Sequence, residues 1–190
     1  LYPVATKIKE FKYDWEKQYL ENTESFIFTN HFAMMHHFCK TMEECGTLPE
    51  LEIYDIGMIN NAAHLVREGY LKSPLYIQFV MGILGGIPAT LDNLLYLTNT
   101  AKKQLEDFKW SVCAAGKHQF PMGIANILQG GNMRVGLEDN LFLERGVLAK
   151  SNADQVKKAV RIARELGLEP ASSDEVREML GLKGIDKVNY

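Results

Sequence analysis

The chain has 190 residues, which is enough for a single domain, residues 1–190, with a full hydrophobic core. Hydrophobic residues make up 46% of it and charged residues 24%, as in ordinary soluble proteins, and a net charge of -3 argues against a nucleic-acid partner. No apolar run approaches the roughly 18 residues of a membrane span, so we expect a cytoplasmic protein without membrane association. The odd number of cysteines (Cys39, Cys45 and Cys113) fits neither a disulfide framework nor a zinc knuckle, which favours reduced thiols.

Five short runs rich in Ile, Val, Phe and Tyr are typical of β-strands. Most of them are almost continuously apolar, as strands are when both faces of a parallel sheet are buried. The predicted strands are Ser25–Thr29, Leu51–Ile56, Leu75–Met81, Trp110–Ala114 and Met133–Leu137.

Between and after these strands, apolar residues recur with helical spacing. The predicted helices are His31–Cys45, Ile59–Glu68, Leu91–Leu105, Phe120–Leu128, Ala153–Leu166 and Ser173–Leu180. Ala153–Leu166 has the clearest limits, because Ser151 is suited to cap its first turn and Gly167 to end its last. Residues 1–24 are predicted to be a partly helical lead-in.

The alternation of strands and helices has the period of a βαβ unit and predicts an α/β fold with a parallel sheet. Two architectures fit this pattern: an open doubly wound sheet, or part of a (β/α)8 TIM barrel. A complete barrel takes about 250 residues. On the barrel interpretation the chain supplies roughly the last five βα units, and about three more are expected before Leu1.

In both architectures the functional side chains lie at the carboxyl ends of the strands. The fifth predicted strand is the most informative, because an ionised Arg134 inside a buried strand needs a partner or a polar cavity. Alternation places Arg134, Gly136 and Glu138 on one face, and Asp139 follows directly. One carboxylate is a candidate metal ligand and the other a candidate proton-transfer group, while a structural ion pair is the alternative.

Other strand ends allow two interpretations each. The run Gly82–Gly86 lacks the spacing of known phosphate loops, so its glycines either approach a phosphate or simply let the backbone turn. Lys117 and His118 either hold an anionic part of a substrate or lie in a solvated loop. His36 and His37 point roughly 100° apart on a helix, so they cannot chelate one ion well.

The run Gly130–Asn140, GGNMRVGLEDN, resembles a segment of the β-keto acid cleavage enzymes, the family of 3-keto-5-aminohexanoate cleavage enzyme. In that family the last barrel strand carries Gly-Gly-His-Val-Arg-Val-Gly-x-Glu-Asp-Asn. The similarity continues, in order, through residues 49–57, 78–89, 110–119 and 146–153, which resemble the fifth, sixth and seventh strands and the lead into the last helix. The chain is identified as the C-terminal portion of a member of this family.

The resemblance implies a zinc-dependent (β/α)8 barrel that condenses a β-keto acid with acetyl-CoA, giving acetoacetate and a new CoA ester. It makes Glu138 one zinc ligand, beside a His-x-His pair on the second barrel strand, with Arg134 and Asp139 activating the keto acid. Glu52 and Asn30 are the candidate substrate-binding residues. The candidate CoA-binding residues are Gly85, Gly86, Lys117 and His118. Family members associate, so a homo-oligomer is expected.

The sequence departs from the family pattern in three ways. The His-x-His pair is absent, and Asn132 and Met58 stand where the family usually has His. This chain alone is therefore not expected to hold zinc in the family's manner. Two rival hypotheses stay open: a non-catalytic remnant of a barrel, and a different metal-dependent, aldolase-like lyase that shares only the strand-end Arg and Glu.

Overall fold

A computed structural model describes residues 2–184 and Lys187. The chain divides into two compact units, Leu1–Met35 and His36–Tyr190, and the prediction of one domain stays a prediction. Within the described residues, no helix has both the length and the apolar composition needed to cross a bilayer.

The N-terminal unit contains two short helices, α1 (Tyr2–Ala5) and α2 (Asp14–Asn22), in agreement with the predicted partly helical lead-in. The side chain of Glu16 accepts a hydrogen bond from the backbone N–H of Lys12 at 2.9 Å, just before α2 begins. An acidic side chain in the first turn also suits the positive end of the helix dipole.

The first predicted strand, Ser25–Thr29, is wrong, because residues 26–30 have no regular secondary structure. The side chains of Phe26, Ile27 and Phe28 are 69%, 77% and 79% exposed. Apolar residues with high β-propensity form a strand only where a neighbouring strand hydrogen-bonds their backbone groups. Without that partner, the run is an irregular segment with exposed apolar side chains.

The C-terminal unit is built on a parallel sheet, which confirms the predicted α/β class. Its strands are β1 (Glu50–Ile53), β2 (Leu75–Met81), β3 (Phe108–Ala114) and β4 (Asn132–Met133), in the order β1-β2-β3-β4. An open doubly wound sheet reverses its strand order at a switch point. This sheet has no reversal among its four strands.

All six predicted helices are present, most with slightly different bounds. They are α3 (Phe32–Glu44), α4 (Ile56–Arg67), α5 (Leu91–Gln104), α6 (Gln119–Ile127), α7 (Asn152–Glu165) and α8 (Ser173–Leu180). Of these, α4, α5 and α6 follow β1, β2 and β3. Side chains cap their first turns: Thr90 Oγ1 accepts from the N–H of Asn93 at 3.3 Å, and the predicted cap Ser151 accepts from Asp154 at 3.4 Å. Helices α4 to α7 contact one another in sequence order.

The two faces of the sheet differ in chemistry because side chains alternate along each strand. One face is apolar, with Ile53, Ile77, Phe79 and Val112 at most 2% exposed. Trp110 belongs to this face and donates from Nε1 to Asn126 of α6 at 2.7 Å, so the apolar face meets the helices. The register aligns Glu52, Gln78 and Ser111 in one row on the opposite face, which we call the polar face.

The fifth predicted strand, Met133–Leu137, is wrong over most of its length, because β4 ends at Met133. The backbone turns instead: Gly136 O accepts from the N–H of Asn140 at 3.1 Å. Residues 136–140 form what we call the acidic turn, which carries Glu138 and Asp139. A two-stranded hairpin that the sequence analysis missed follows it, with strands β5 (Phe142–Glu144) and β6 (Val147–Leu148).

Candidate active site

Arg134 stands at the centre of the polar side chains at the carboxyl end of the sheet. Its N–H donates to Val112 O at 2.9 Å, so the ladder with β3 extends one residue beyond β4. Arg134 lies two residues after Asn132, which pairs with Ser111, and alternation therefore places it on the polar face.

All five N–H groups of the Arg134 guanidinium have an acceptor within the chain. Nε donates to Asp139 Oδ2 at 3.1 Å, and Nη2 donates to Glu138 Oε2 at 2.7 Å and Asp139 Oδ1 at 3.4 Å. Nη1 donates to Gln78 Oε1 at 2.9 Å and to Glu52 Oε1 at 3.3 Å. The structure thus brings together four residues that the sequence analysis singled out: Glu52, Arg134, Glu138 and Asp139.

The three carboxylates around Arg134 differ in their access to solvent. The side chain of Asp139 is 9% exposed, against 43% for Glu52 and 83% for Glu138. A buried carboxylate in a two-point contact with a guanidinium holds its geometry, whereas an exposed one exchanges its partner at little cost. Asp139 is therefore the fixed partner of Arg134, and Glu52 and Glu138 are free to turn towards another group.

The charge of Arg134 is strongly maintained. Burial lowers the pKa of Arg134, but the neighbouring Cys113, Asp139, Glu138 and Glu52 raise it, and the net shift is upward. The cluster consists of one cation and three carboxylates, so its excess of negative charge favours a cation or a proton donor nearby. An anion is attracted to Arg134 only once the exposed Glu52 and Glu138 have turned away from it or been neutralised.

The acidic turn is held in place by its neighbours along the chain. Gly136 N–H donates to Gln119 Oε1 at 3.2 Å, and Leu137 N–H donates to Asn152 Oδ1 at 2.8 Å. On the other side, Asp139 O accepts from the N–H of Gly116 at 2.7 Å. Residues at the starts of α6 and α7 therefore fix the backbone that presents Glu138 and Asp139.

Glu52 lies between Arg134 and a tyrosine that the sequence analysis missed. Tyr54 donates from its hydroxyl to Glu52 Oε2 at 3.1 Å. Burial, together with the charge and hydrogen bond of Glu52, raises the pKa of Tyr54 to about 12. Tyr54 therefore stays a hydrogen-bond donor at neutral pH. Glu50 lies two residues before Glu52 on the same face, and burial and the charge of Glu52 raise the pKa of Glu50 too.

Three further residues of the polar face escaped the sequence analysis: Gln78, Ser111 and Cys113. Gln78, 3% exposed, donates from Nε2 to Ser111 Oγ at 3.0 Å while its Oε1 accepts from Arg134. Cys113 is 1% exposed, and burial, followed by its hydrogen bond to Asp139 and the charge of that carboxylate, raises the pKa of its thiol to about 12. A signal for Gln78 was available, because it is the one polar amide in an otherwise apolar strand, LYIQFVM.

The remaining predicted site residues lie outside the Arg134 cluster, and their roles stay predictions. Asn30 is exposed and belongs to the N-terminal unit. Lys117 and His118 lie in a short 3-10 helix, Gly116–His118, directly before α6. Gly85 and Gly86 form the turn after β2, and a Cβ on Gly86 would come within 3.0 Å of Tyr54 O, so close packing requires this glycine.

The described residues do not by themselves form a zinc site. No group of three or more His, Cys, Asp or Glu side chains within residues 2–184 and Lys187 is arranged to hold a metal ion. Glu138 is exposed enough to serve as one ligand, but a protein zinc site needs at least three.

The Arg134 cluster lies at the carboxyl end of a parallel sheet, which is where the active sites of α/β enzymes are found. The family model of beta-keto acid cleavage enzymes matches residues 4–182, so the chain belongs to this family, as its motifs predicted. It is 42% identical over its whole length to the 3,5-dioxohexanoate:acetyl-CoA acetone transferase of Paraburkholderia graminis, of which it covers 62%.

A second relative and a solved structure agree with this. The chain is 42% identical over 82% of its length to the 3-keto-5-aminohexanoate cleavage enzyme of Acetoanaerobium sticklandii, covering 56% of that protein. It therefore spans about three fifths of the length of these curated relatives. The apo structure of ObcA matches with a TM-score of 0.68 at 20% identity, over 80% of this chain and 40% of that one, which shows a shared fold.

Proposed function

We propose that the chain is the C-terminal, active-site part of a (β/α)8 barrel enzyme. The enzyme would condense a β-keto acid with acetyl-CoA, giving acetoacetate and a new CoA ester. The observation that carries this proposal is the Arg134 cluster, in which one guanidinium meets Glu52, Glu138 and Asp139 at the carboxyl end of the sheet. The names of the relatives, both β-keto acid enzymes, support the reaction class.

Arg134 would bind the anionic keto acid and stabilise the negative charge that develops when the carbon between its two carbonyl groups loses a proton. Asp139, the buried partner, would hold the guanidinium plane in place through its two oxygens. The carbon nucleophile so formed would attack the acetyl thioester and expel CoA as its thiolate. That thiolate would attack the original keto carbonyl of the substrate, and the bond from this carbonyl to the nucleophilic carbon would break, leaving the new CoA ester. The acetoacetate carbanion released in this step would take up a proton, which balances the one removed at the start. Tyr54, whose pKa of about 12 keeps its proton in place, is suited to orient Glu52 beside the substrate.

The substrate and CoA assignments belong to the same proposal. Glu52 would contact the keto acid at its far end through its exposed carboxylate. Asn30, in the N-terminal unit, stays a substrate-binding candidate from the sequence alone. The CoA candidates are Gly85, Gly86, Lys117 and His118, which follow β2 and β3 at the carboxyl edge of the sheet. We also propose a homo-oligomer, as the resemblance implies, and a cytoplasmic location, as the reduced cysteines favour.

Zinc remains a prediction for the intact protein. When bound, a zinc ion supplies Lewis-acid polarisation of substrate oxygens. Among the described residues Glu138 is the candidate ligand, and its exposed carboxylate would have to exchange Arg134 for the metal. The other ligands of such a site would have to come from outside the described residues.

The proposal is tested with a panel of β-keto acids on the intact protein, with acetoacetate and the new CoA ester as the measured products. We expect product only when acetyl-CoA is present. Arg134→Lys should lower kcat/KM by about a hundredfold, because lysine keeps the charge but lacks the planar set of five N–H donors that a guanidinium provides. Arg145→Lys, at the exposed tip of the hairpin, is the matched control and should leave the rate unchanged.

Two results would overturn the proposal. Cleavage of a keto acid without CoA would favour the aldolase-like lyase. No turnover of any keto acid in an intact, folded protein would favour the non-catalytic remnant.

A further inference from the structure

Among the acceptors around Arg134, Gln78 is the neutral and most deeply buried one. It is 3% exposed, whereas the side chains of Glu52 and Glu138 are 43% and 83% exposed. Its Oε1 lies 2.9 Å from Arg134 Nη1, which is shorter than the 3.3 Å from the same nitrogen to Glu52. Gln78 is therefore the firmer of the two partners of Nη1.

The orientation of the Gln78 amide follows from the chemistry of its neighbours. A guanidinium only donates hydrogen bonds, so the amide oxygen must face Arg134. The amide nitrogen then donates to Ser111 Oγ at 3.0 Å. Gln78 and Ser111 are paired in the register of β2 and β3, and Ser111 is 2% exposed, so this anchor is rigid.

We propose that Gln78 is a positioning residue that holds Nη1 of Arg134 in its reactive orientation while Glu52 and Glu138 turn towards substrate or metal. The role requires a neutral acceptor. A carboxylate in this buried position would hold the guanidinium equally well but would cancel part of its charge, which an anionic substrate needs. Ser111 supports this role, because its hydroxyl accepts from Gln78 Nε2 and so fixes the end of the amide that faces away from Arg134.

The kinetic test of this inference rests on the proposed function. The structural test, which measures the chemical reactivity of Arg134, does not. The variants in the intact protein are Gln78→Met, which keeps the size and removes the acceptor, and Gln78→Glu, which keeps the acceptor and adds a charge. Ser111→Ala removes the anchor with little change of volume. Gln104→Met, at the exposed end of α5, is the matched control.

We expect Gln78→Met to lower kcat about tenfold, the effect of one hydrogen bond to a charged group, with little change in KM. Gln78→Glu should recover kcat relative to Gln78→Met but raise KM for the keto acid, because of charge repulsion. Ser111→Ala should lower kcat by less than Gln78→Met. A purely structural role would not lower mainly kcat in one variant and raise mainly KM in another variant of the same residue.

The structural test uses the rate at which phenylglyoxal modifies Arg134, followed by mass spectrometry of the folded protein. We expect faster modification in Gln78→Met and Ser111→Ala than in Gln78→Glu, Gln104→Met and the parent protein. Equal rates in all proteins, or a kcat unchanged in Gln78→Met, would overturn the positioning role. If Gln78→Met fails to fold, Ser111→Ala decides the question. If the parent protein shows no transferase activity, the proposed function fails while the labelling rates still test Gln78.

Discussion

The side-chain amides of Gln119 and Gln155 are hydrogen-bonded to each other, with Gln119 Nε2 donating to Gln155 Oε1 at 2.6 Å. Both side chains are at most 1% exposed. The other end of each amide reaches the acidic turn: Gln119 Oε1 accepts from Gly136 N–H, and Gln155 Nε2 donates to Asn140 O. Together they hold both ends of the turn that carries the two acidic side chains beside Arg134.

Replacing Gln155 with Leu should destabilise the intact protein by about 2 kcal/mol, because buried polar groups of Gln119 and Asn140 would lose their partner. The free energy of unfolding in urea measures this. Lys157→Leu, on the exposed side of the same helix, is the control and should change it by no more than about 0.5 kcal/mol. A similar loss in both variants would mean that the amide pair does not stabilise the turn.

Most regular elements could be predicted because local pattern and tertiary environment agree. Strand Leu75–Met81 and helix Ser173–Leu180 were predicted with the bounds that the structure has. Ser25–Thr29 was wrong, because its apolar residues suit a strand but the hydrogen bonds that make one come from a neighbour. Met133–Leu137 was wrong for a different reason: the backbone N–H groups of its second half donate to the side chains of Gln119 and Asn152, which hold it in a turn.

Of the residues in the site, only the charged ones could be predicted from the sequence. Glu52, Arg134, Glu138 and Asp139 were found through a family motif and the cost of burying a charge. Gln78, Ser111 and Cys113 were missed because a neutral side chain within a strand gains its role from the register with the next strand, which distant segments of the chain determine.

Stability at alkaline pH should depend on Cys113. Its pKa rises from the ordinary 9.0 to about 12 on folding, mainly through burial, so between those values the unfolded chain binds fewer protons than the folded one. The free energy of unfolding therefore falls as pH rises through this window. Cys113→Ser, which does not titrate there but keeps a donor for Asp139, should make this fall shallower, although Tyr54 still contributes.

Urea unfolding of the intact protein between about pH 9 and pH 11 measures the slope. Cys45→Ser is the control, since Cys45 is exposed, and its slope should match that of the parent protein. An identical slope for Cys113→Ser and the parent would show that the buried thiol does not couple folding to pH.

The zinc prediction has a direct chemical test. We expect the intact protein to carry zinc in a stoichiometric amount, and Glu138→Ala to lose it on dialysis, because a zinc site that loses one of three protein ligands binds far more weakly. Glu144→Ala, an exposed acid on the following hairpin, is the control and should retain the metal. Metal analysis of the purified proteins decides the matter, and full zinc retention by Glu138→Ala would remove Glu138 from the site.

Residues 1–190 expressed alone should associate or aggregate. In the part of the sheet that the structure describes, β1 and β4 each pair on one side only. Backbone groups on an open edge bind further strands. The exposed run Phe26–Phe28 adds a second, apolar route to association.

Size-exclusion chromatography with light scattering, over a range of concentrations, measures the association. A variant with Phe26, Ile27 and Phe28 changed to Ser separates the two routes: association through the sheet edges persists in it, and association through the apolar run does not. A soluble monomer that unfolds cooperatively would show that the edges are protected within this chain, and that the sheet needs no further βα units for its stability.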